Sequence, residues 1–361
     1  DQYLAIADAA LRSGLAADIA RRTARLTAWD GLVPSIGPNA PSRERPASAT
    51  ALETWAACPF RYFLGNVLRV AETERPEDVL TLSPRDRGSL IHAALEQFIR
   101  RAAPRRSPDE PWSDDERALL LKIGRRLCDE AEEQGITGKP LLWRMERERI
   151  LRDLLGFLAA DEEMRREEGV VPREVEMGFG MPGSAGPALV VALARGREVA
   201  LRGKIDRVDS TPDGTRAAVF DYKSGSAGYY SGLRKDPVNG GRVLQLPIYA
   251  LAARECLGFG EAAAYYWFVG EEAGYRRIGY TVDDKALERF REAAGVIIDG
   301  IDSGVFPANP GKPSGEGGHA NCRICPYDRI CPIDRRRVWE RKRQSPELRR
   351  YVEMTEPDER S

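Results

Sequence analysis

Gly203-Lys204-Ile205-Asp206-Arg207-Val208-Asp209-Ser210, then Thr211-Pro212-Asp213-Gly214-Thr215, then Arg216-Ala217-Ala218-Val219-Phe220-Asp221-Tyr222-Lys223 is the stretch that decides the fold. Two runs rich in apolar and β-branched residues flank a polar break, which predicts a β-hairpin. Pro212 fixes one φ in that break, and Gly214 supplies the permissive residue that a tight turn requires. Side chains two apart on a strand share a face, so Asp221 and Lys223 project together, and the hairpin partner can bring Asp206 beside them. Two carboxylates make a hard oxygen site for Mg²⁺ or Mn²⁺, which would stabilise a pentavalent phosphate and activate a water. Lys223 would orient that water or neutralise developing charge. The bland alternative is a solvent-facing salt-bridge ladder across the hairpin.

Three features outside the hairpin favour the chemical reading. Glu176, in Val175-Glu176-Met177, lies on the strand expected just upstream, with Glu174 as the fallback acid. His92, one of two histidines, falls within an apolar helical stretch, from which an imidazole nitrogen can reach a metal. Gln245 and Tyr249 are spaced i, i+4 and share one helix face, where they could hold a phosphate or a nucleotide. Each alone reads more simply as core or surface; their convergence is the argument.

Working outward, residues 172–180 and 188–193 read as strands, as do 262–269 and 275–282, with helices at 243–256 and 284–303. Upstream the chain is mainly helical. One helix is expected to start at Ser48 or Thr50 and run through Leu52, Trp55, Phe60, Tyr62 and Phe63, another spans 87–101, and two more cover 113–133 and 141–168. Residues 1–28 carry apolar positions at helical spacing (Leu4, Ile6, Ala7, Leu11, Leu15, Ile19), and the Pro- and Ser-rich residues 33–50 read as a linker. The fold class is therefore α/β, a central mixed β-sheet flanked by helices with a helical insertion at 103–168. The expected divisions are a helical tail and linker at 1–47, the main domain at 48–335 and a basic helical tail at 336–361.

Cys322, Cys325 and Cys331 lie at metal-ligand spacing, and Cys58, followed by Pro59-Phe60, is the best candidate for a fourth ligand. Four thiolates suit zinc or an iron–sulfur cluster, and His319 could replace one of them in a zinc site. With Cys58 included, the metal would be a clasp joining the two ends of the main domain. Cys128 and Cys256 sit in apolar helical contexts and read as core residues.

Composition bounds the rest. The formal net charge is −1, with 55 Lys and Arg against 56 Asp and Glu, so bulk charge does not advertise a nucleic-acid partner. Basic residues do cluster, at Arg100, Arg101, Arg105 and Arg106 and again at Arg335, Arg336, Arg337, Arg341, Lys342 and Arg343. No apolar run nears the roughly 18 residues of a membrane span, and no signal-peptide pattern opens the chain, so a cytoplasmic setting is expected. The first residue is Asp1 rather than Met, as a piece of a longer protein would show.

Taken in order, residues 48–64 (SATALETWAACPFRYFL), 87–98 (RGSLIHAALEQF), 175–180 (VEMGFG), 203–209 (GKIDRVD), 221–225 (DYKSG), 245–252 (QLPIYALA) and 322–332 (CRICPYDRICP) resemble the RecB-like branch of the PD-(D/E)XK nuclease superfamily. Within that branch they are similar to the C-terminal nuclease of AddB-type helicase–nuclease subunits. The resemblance implies a restriction-endonuclease-like fold in which His92, Asp206, Asp221 and the backbone carbonyl of Tyr222 hold Mg²⁺ or Mn²⁺. It makes Lys223 the catalytic lysine, Glu176 an acidic site residue, and Gln245 and Tyr249 the motif that follows the core. Cys58, Cys322, Cys325 and Cys331 match the family's 4Fe–4S ligands. The implied activity is hydrolysis of single-stranded or unwound DNA in double-strand-break repair, beside an AddA-type helicase–nuclease subunit. Two relatives of this reading are a nuclease-like scaffold without catalysis and a CRISPR-adaptation-type iron–sulfur exonuclease. The helical insertion at 103–168 argues against the second, and the joint presence of Asp206, Asp221 and Lys223 argues against the first.

Overall fold

The structure is a computed structural model that describes residues 8–71, 80–103, 106–315, 318–323 and 325–356. Leu4, Ile6 and Ala7 of the expected first helix, and Arg105 of the basic cluster, lie outside the described residues. Helix α1 (Ala9–Arg22) starts on Asp8, whose carboxylate accepts the Ala10 N–H, and none of its residues is buried. The stretch read as a linker does more than connect. It contains a 3₁₀ turn at Gly37–Asn39, and its end forms strand β1 (Ala47–Ser48), paired in parallel with Leu201 and Arg202.

The helix expected to run continuously past residue 60 is split. Ser48, not Thr50, caps α2 (Ala49–Ala57) by accepting the Ala51 N–H, and the helix stops at Cys58, whose φ and ψ of −154° and 104° are extended. Pro59 is the reason: its ring disfavours helical geometry in the residue before it. The chain restarts as α3 (Pro59–Tyr62), which widens into a π turn over Phe63–Val67. Helices α4 (Pro84–Ala102), α5 (Asp114–Glu133) and α6 (Pro140–Glu168) follow, capped respectively by Ser83, by a Ser113/Glu116 capping box and by Gly169 in the left-handed region.

The sheet begins with β2 (Val171–Phe179) and β3 (Leu189–Ala192), both antiparallel to the long strand β4 (Glu198–Ser210). Strand β5 (Arg216–Lys223) closes the hairpin through a turn in which Gly214 takes φ 70°. Helix α7 (Gln245–Leu257) crosses to β6 (Glu261–Phe268), which pairs in parallel with β5 and antiparallel with β7 (Arg277–Thr281). Helices α8 (Asp284–Asp302), α9 (Arg335–Lys342) and α10 (Arg349–Thr355) complete the described chain. The result is the mixed sheet flanked by helices that the sequence pattern predicts, with seven strands among the described residues.

Alternation along β5 and β6 distributes side chains between two cores. Val219, Tyr266 and Phe268 face α7 and α8, whereas Phe220, Tyr222 and Trp267 face α4, α5 and α6. Large aromatic payloads on both faces make β5 and β6 the centre of the molecule. The last helix belongs to the first core: Leu348, Tyr351 and Met354 are buried there, and the Tyr351 hydroxyl donates to Ala56 O at 3.0 Å.

The register contains one irregular stretch that matters. β4 pairs with β5 only from Arg207 to Ser210 and with β1 only at Leu201 and Arg202. Between these, residues 203–206 have β2 beside them and neither of the others. The two strands of the hairpin therefore part just where Asp206 and Asp221 stand.

Candidate active site

Where β4 and β5 diverge, the Tyr222 N–H has no ladder partner on β4, and Asp206 Oδ2 accepts it at 2.7 Å. Asp206 Oδ1 lies 3.3 Å from Nδ1 of His92, and the other ring nitrogen of His92 lies 3.1 Å from the carbonyl oxygen of Tyr222. Helix α4 presents His92 because Leu90, Ile91, Ala94 and Leu95 bury the adjoining face. Glu176 completes this group: ligand atoms of His92, Glu176 and Asp206 all lie within 4.8 Å of one another. Glu176 also forms an ion pair with Lys204. Its φ of 54° is left-handed, a conformation that costs a non-glycine residue on the order of 1 kcal/mol or more and is typical of functional positions. Glu174, the fallback acid, is exposed opposite Val208 and stands outside the group.

Asp221 stands beside that group, near enough to feel the charges of Asp206 and His92. It is not within the His92–Glu176–Asp206 group but forms an ion pair with Lys223, and its Oδ1 accepts Gln245 Nε2 at 3.2 Å. Gln245 is the first residue of α7, and its Oε1 accepts from Lys223 Nζ at 3.1 Å. One turn on, the Tyr249 hydroxyl accepts from the same amide at 3.3 Å. Lys223 Nζ also sits 4.8 Å from the centre of the Tyr266 ring. The site thus has two halves in contact: an imidazole with two carboxylates, and a lysine held by a carboxylate and an amide.

The electrostatics follow from burial and crowding. Burial, the proximity of Asp206 and the opposing pull of Lys223 leave the Asp221 carboxyl at about 6. Burial raises Glu176 as well, against the pull of Lys204. Burial alone would lower the His92 imidazole, but the Asp206 carboxylate outweighs it and raises the group. Lys223 is likewise lowered by burial and raised by more by the Asp221 carboxylate beside it. Carboxylates this close repel one another, and a divalent cation among them would remove that cost.

Several residues that sequence reasoning did not single out support the site. Glu53, on α2, accepts the backbone N–H groups of Leu244 and Gln245 at 2.6 and 3.1 Å, capping α7 in place of a local side chain. A glutamate among Ala51, Leu52, Trp55 and Ala56 was the available signal. Arg87 of α4 donates to Asp153 of α6 at 2.6 Å and to the carbonyl of Ser224 at 3.3 Å, tying the helical layer to the residue after Lys223. Beneath the site, Asp161, Arg165, Arg207 and Asp209 form a fully buried ionic network.

Cys58, Cys322, Cys325 and Cys331 line a single pocket, with Asn309, Tyr327 and Arg335 around them, and none is in a disulfide. Burial raises the Cys58 and Cys322 thiols and pushes Cys331 up to about 12. His319 is not among the residues of the pocket. Protein contacts already join the same segments: Asn321 Nδ2 donates to Ala57 O at 2.7 Å, and the Tyr327 hydroxyl to Val70 O at 3.0 Å. Cys128 is buried and Cys256 half-buried, away from this pocket.

The geometry can be set beside known proteins. The sequence profile of the PD-(D/E)XK nuclease superfamily matches residues 46–332. The chain belongs to the PD-(D/E)XK nuclease superfamily. Asp221-Tyr222-Lys223 spells out the (D/E)XK of that name, while Ile205 rather than Pro precedes Asp206. Curated superfamily relatives include the B component of the ATP-dependent helicase/deoxyribonuclease from several bacteria. That of Acetivibrio thermocellus is 31% identical over 189 residues, which is 50% of this chain and 15% of the relative. Its counterpart in Desulforudis audaxviator is 30% identical over 312 residues, 77% of this chain and 25% of the relative. The Symbiobacterium thermophilum protein is 33% identical over 246 residues, 66% and 19% of the two chains. The chain thus spans a quarter or less of the length of these relatives. A solved structure of a putative exonuclease from Eubacterium rectale overlays 80% of this chain and 90% of its own at a TM-score of 0.38 and 12% identity, too loosely to argue from. Among the described residues no helix is long and apolar enough to cross a membrane.

Proposed function

We propose that this chain is the nuclease domain of an AddB-type helicase–nuclease subunit, hydrolysing phosphodiester bonds of single-stranded or unwound DNA during repair of double-strand breaks. The observation that carries this reading is the His92–Glu176–Asp206 group set against the Asp221–Lys223–Gln245 group at the divergence of β4 and β5. Mixed nitrogen and carboxylate donors fit Mg²⁺ or Mn²⁺, with His92, Asp206 and Glu176 as side-chain ligands and Asp221 and the Tyr222 carbonyl within the wider set. A divalent ion bound there supplies Lewis acidity toward a phosphoryl oxygen and a water of lowered pKa. Lys223, paired with Asp221 and bonded to Gln245, is placed to act as a charge that stabilises the phosphoryl oxygens or orients the attacking water. Gln245 fixes the lysine and Asp221 at once, and Tyr249 fixes Gln245.

The four-cysteine pocket, in this reading, holds a 4Fe–4S cluster of structural role. Four cysteines around one pocket, with His319 outside it, fit a cluster held by four thiolates. The partner would be an AddA-type subunit, in the cytoplasm.

The test is degradation of labelled single-stranded DNA in Mg²⁺ by anaerobically purified protein, comparing wild type with Lys223→Ala. Cleavage by the wild type alone is expected. Equal cleavage by both would remove Lys223 from the chemistry. No cleavage by either, from protein with its iron intact, would favour a scaffold without catalysis.

A further inference from the structure

An open groove of about 760 Å³ runs beside β4. The segment before β1, around residues 39–46, forms one wall, the end of α3 with its π turn a second, and the turn at 180–188 a third. Arg43, Arg45, Arg69 and Arg202 line it, against the single carboxylate of Glu44. In a chain of net charge −1 this is a concentrated surplus of positive charge. Arg43 leans on Glu198, outside the groove, and Arg45 donates to Asn39 at 2.7 Å. Arg69 and Arg202 are exposed and form no ion pair among the described residues.

The groove leads to the candidate site. Arg202, Lys204 and Asp206 alternate on β4, so at roughly 6.6 Å per two residues Arg202 stands about 13 Å from Asp206, with Lys204 between them. Lys204 is the partner of Glu176, and Gly178 and Phe179, which lead into the third wall, pair with Lys204 and Gly203. The line of cations therefore ends on the ligand group. Such an array suits a phosphodiester backbone, which is bound mainly through charge and through release of counterions.

We infer that this groove is the track along which a single DNA strand reaches the site, with Arg69 and Arg202 contacting its phosphates and the segment at 39–46 serving as a binding wall rather than a spacer. The inference rests on the nuclease reading above. The ligand taken here is an unpaired strand, as in that reading.

The test uses the full chain and a fluorescein-labelled oligothymidylate, with binding followed by anisotropy in EDTA across a salt series. The variant combines Arg69→Asn, because asparagine tolerates the left-handed φ of 55° at that position, with Arg202→Gln. Each phosphate contact on a single strand contributes about 0.7 to the slope of log K against log salt, so the slope should fall by about 1.4. In Mg²⁺ the variant should show a raised KM and an unchanged kcat, and its melting temperature should match the wild type. A wild-type slope and affinity in the variant, with cleavage intact in both proteins, would place the strand elsewhere and leave the nuclease reading standing. Tighter binding of duplex than of oligothymidylate through the same two arginines would overturn the single-strand assignment. If the wild type neither bound nor cut the oligothymidylate, the nuclease reading would fall and the groove with it.

Discussion

Asp161→Asn is the substitution whose cost the structure specifies most fully. Asp161 of α6 has no exposed side-chain surface, and neither have its partners Arg165 and Arg207. Its Oδ2 accepts from Trp112 Nε1 at 2.8 Å and Arg165 Nε at 2.9 Å, and its Oδ1 from Arg207 Nη1 at 2.5 Å. Arg207 in turn grips Asp209 with two bonds of 2.6 Å and lies over the rings of Phe220 and Trp267. Two arginines thus balance two aspartates in a dry interior. The asparagine keeps the volume but leaves one guanidinium charge uncompensated. Removing one partner of a buried ion pair costs roughly 3–5 kcal/mol, a large share of the roughly 5–15 kcal/mol that holds a domain folded. At about 2–4 °C per kcal/mol for large domains, the melting temperature should fall by roughly 6–20 °C. Circular dichroism melts and urea titrations of the two proteins would measure it. A variant melting within about 2 °C of wild type would refute the reasoning, because it would mean that the charges are solvated or that the pairing contributes nothing net. Removing the Asp161–Arg165 pair as a whole, with Asp161→Asn and Arg165→Met, leaves the Arg207–Asp209 pair bonded and should recover part of the loss.

Asp206→Ala should retain the fold and lose cleavage; persistent cleavage in Mg²⁺ by a pure variant would take Asp206 out of the site. Glu53→Gln should change the pH dependence of stability in metal-free buffer. Burial pushes the Glu53 carboxyl up from 4.5 to about 7, so folding favours its protonated form, and stability is lost as pH rises through that window. At about 1.4 kcal/mol per unit the wild type loses roughly 3 kcal/mol there, and the glutamine variant, which still accepts the two N–H groups, does not. Parallel stability curves for the two proteins from about pH 5 to 8 would contradict this. Cys325→Ala should lose iron and sulfide and melt well below the wild type, whereas iron-free protein melting at the wild-type temperature would show that the pocket has no structural role.

Period-two alternation and the Pro212-Asp213-Gly214 turn made the hairpin legible, because both are local features. The i, i+4 spacing did the same for Gln245 and Tyr249. What the residues could not show was decided by contacts distant in sequence. Whether Asp221 or Glu176 joins His92 and Asp206 depends on how β4 and β5 diverge and on the left-handed backbone at Glu176, and no one-dimensional pattern encodes either. Glu53 caps a helix 191 positions away. Arg207 and Asp209 look like the polar face of a strand until α6 brings Asp161 and Arg165 over them. The break at Cys58 was readable from Pro59, yet the apolar periodicity running on through Phe60 and Phe63 masked it.

The hairpin turn at 211–215 carries no chemistry, yet its length bears on the site. A shift of one residue between β4 and β5 would send Asp221 and Lys223 to the opposite face and leave Asp206 alone. Opposing such a slip, β5 is gripped along all of its residues, Arg216 to Lys223, by parallel pairing with β6. Extra residues at 211–215 should therefore bulge outward into solvent rather than move the strand. Apart from Gly214, whose left-handed φ the turn uses, it is the neighbouring strand and not the loop that keeps the reacting groups in step.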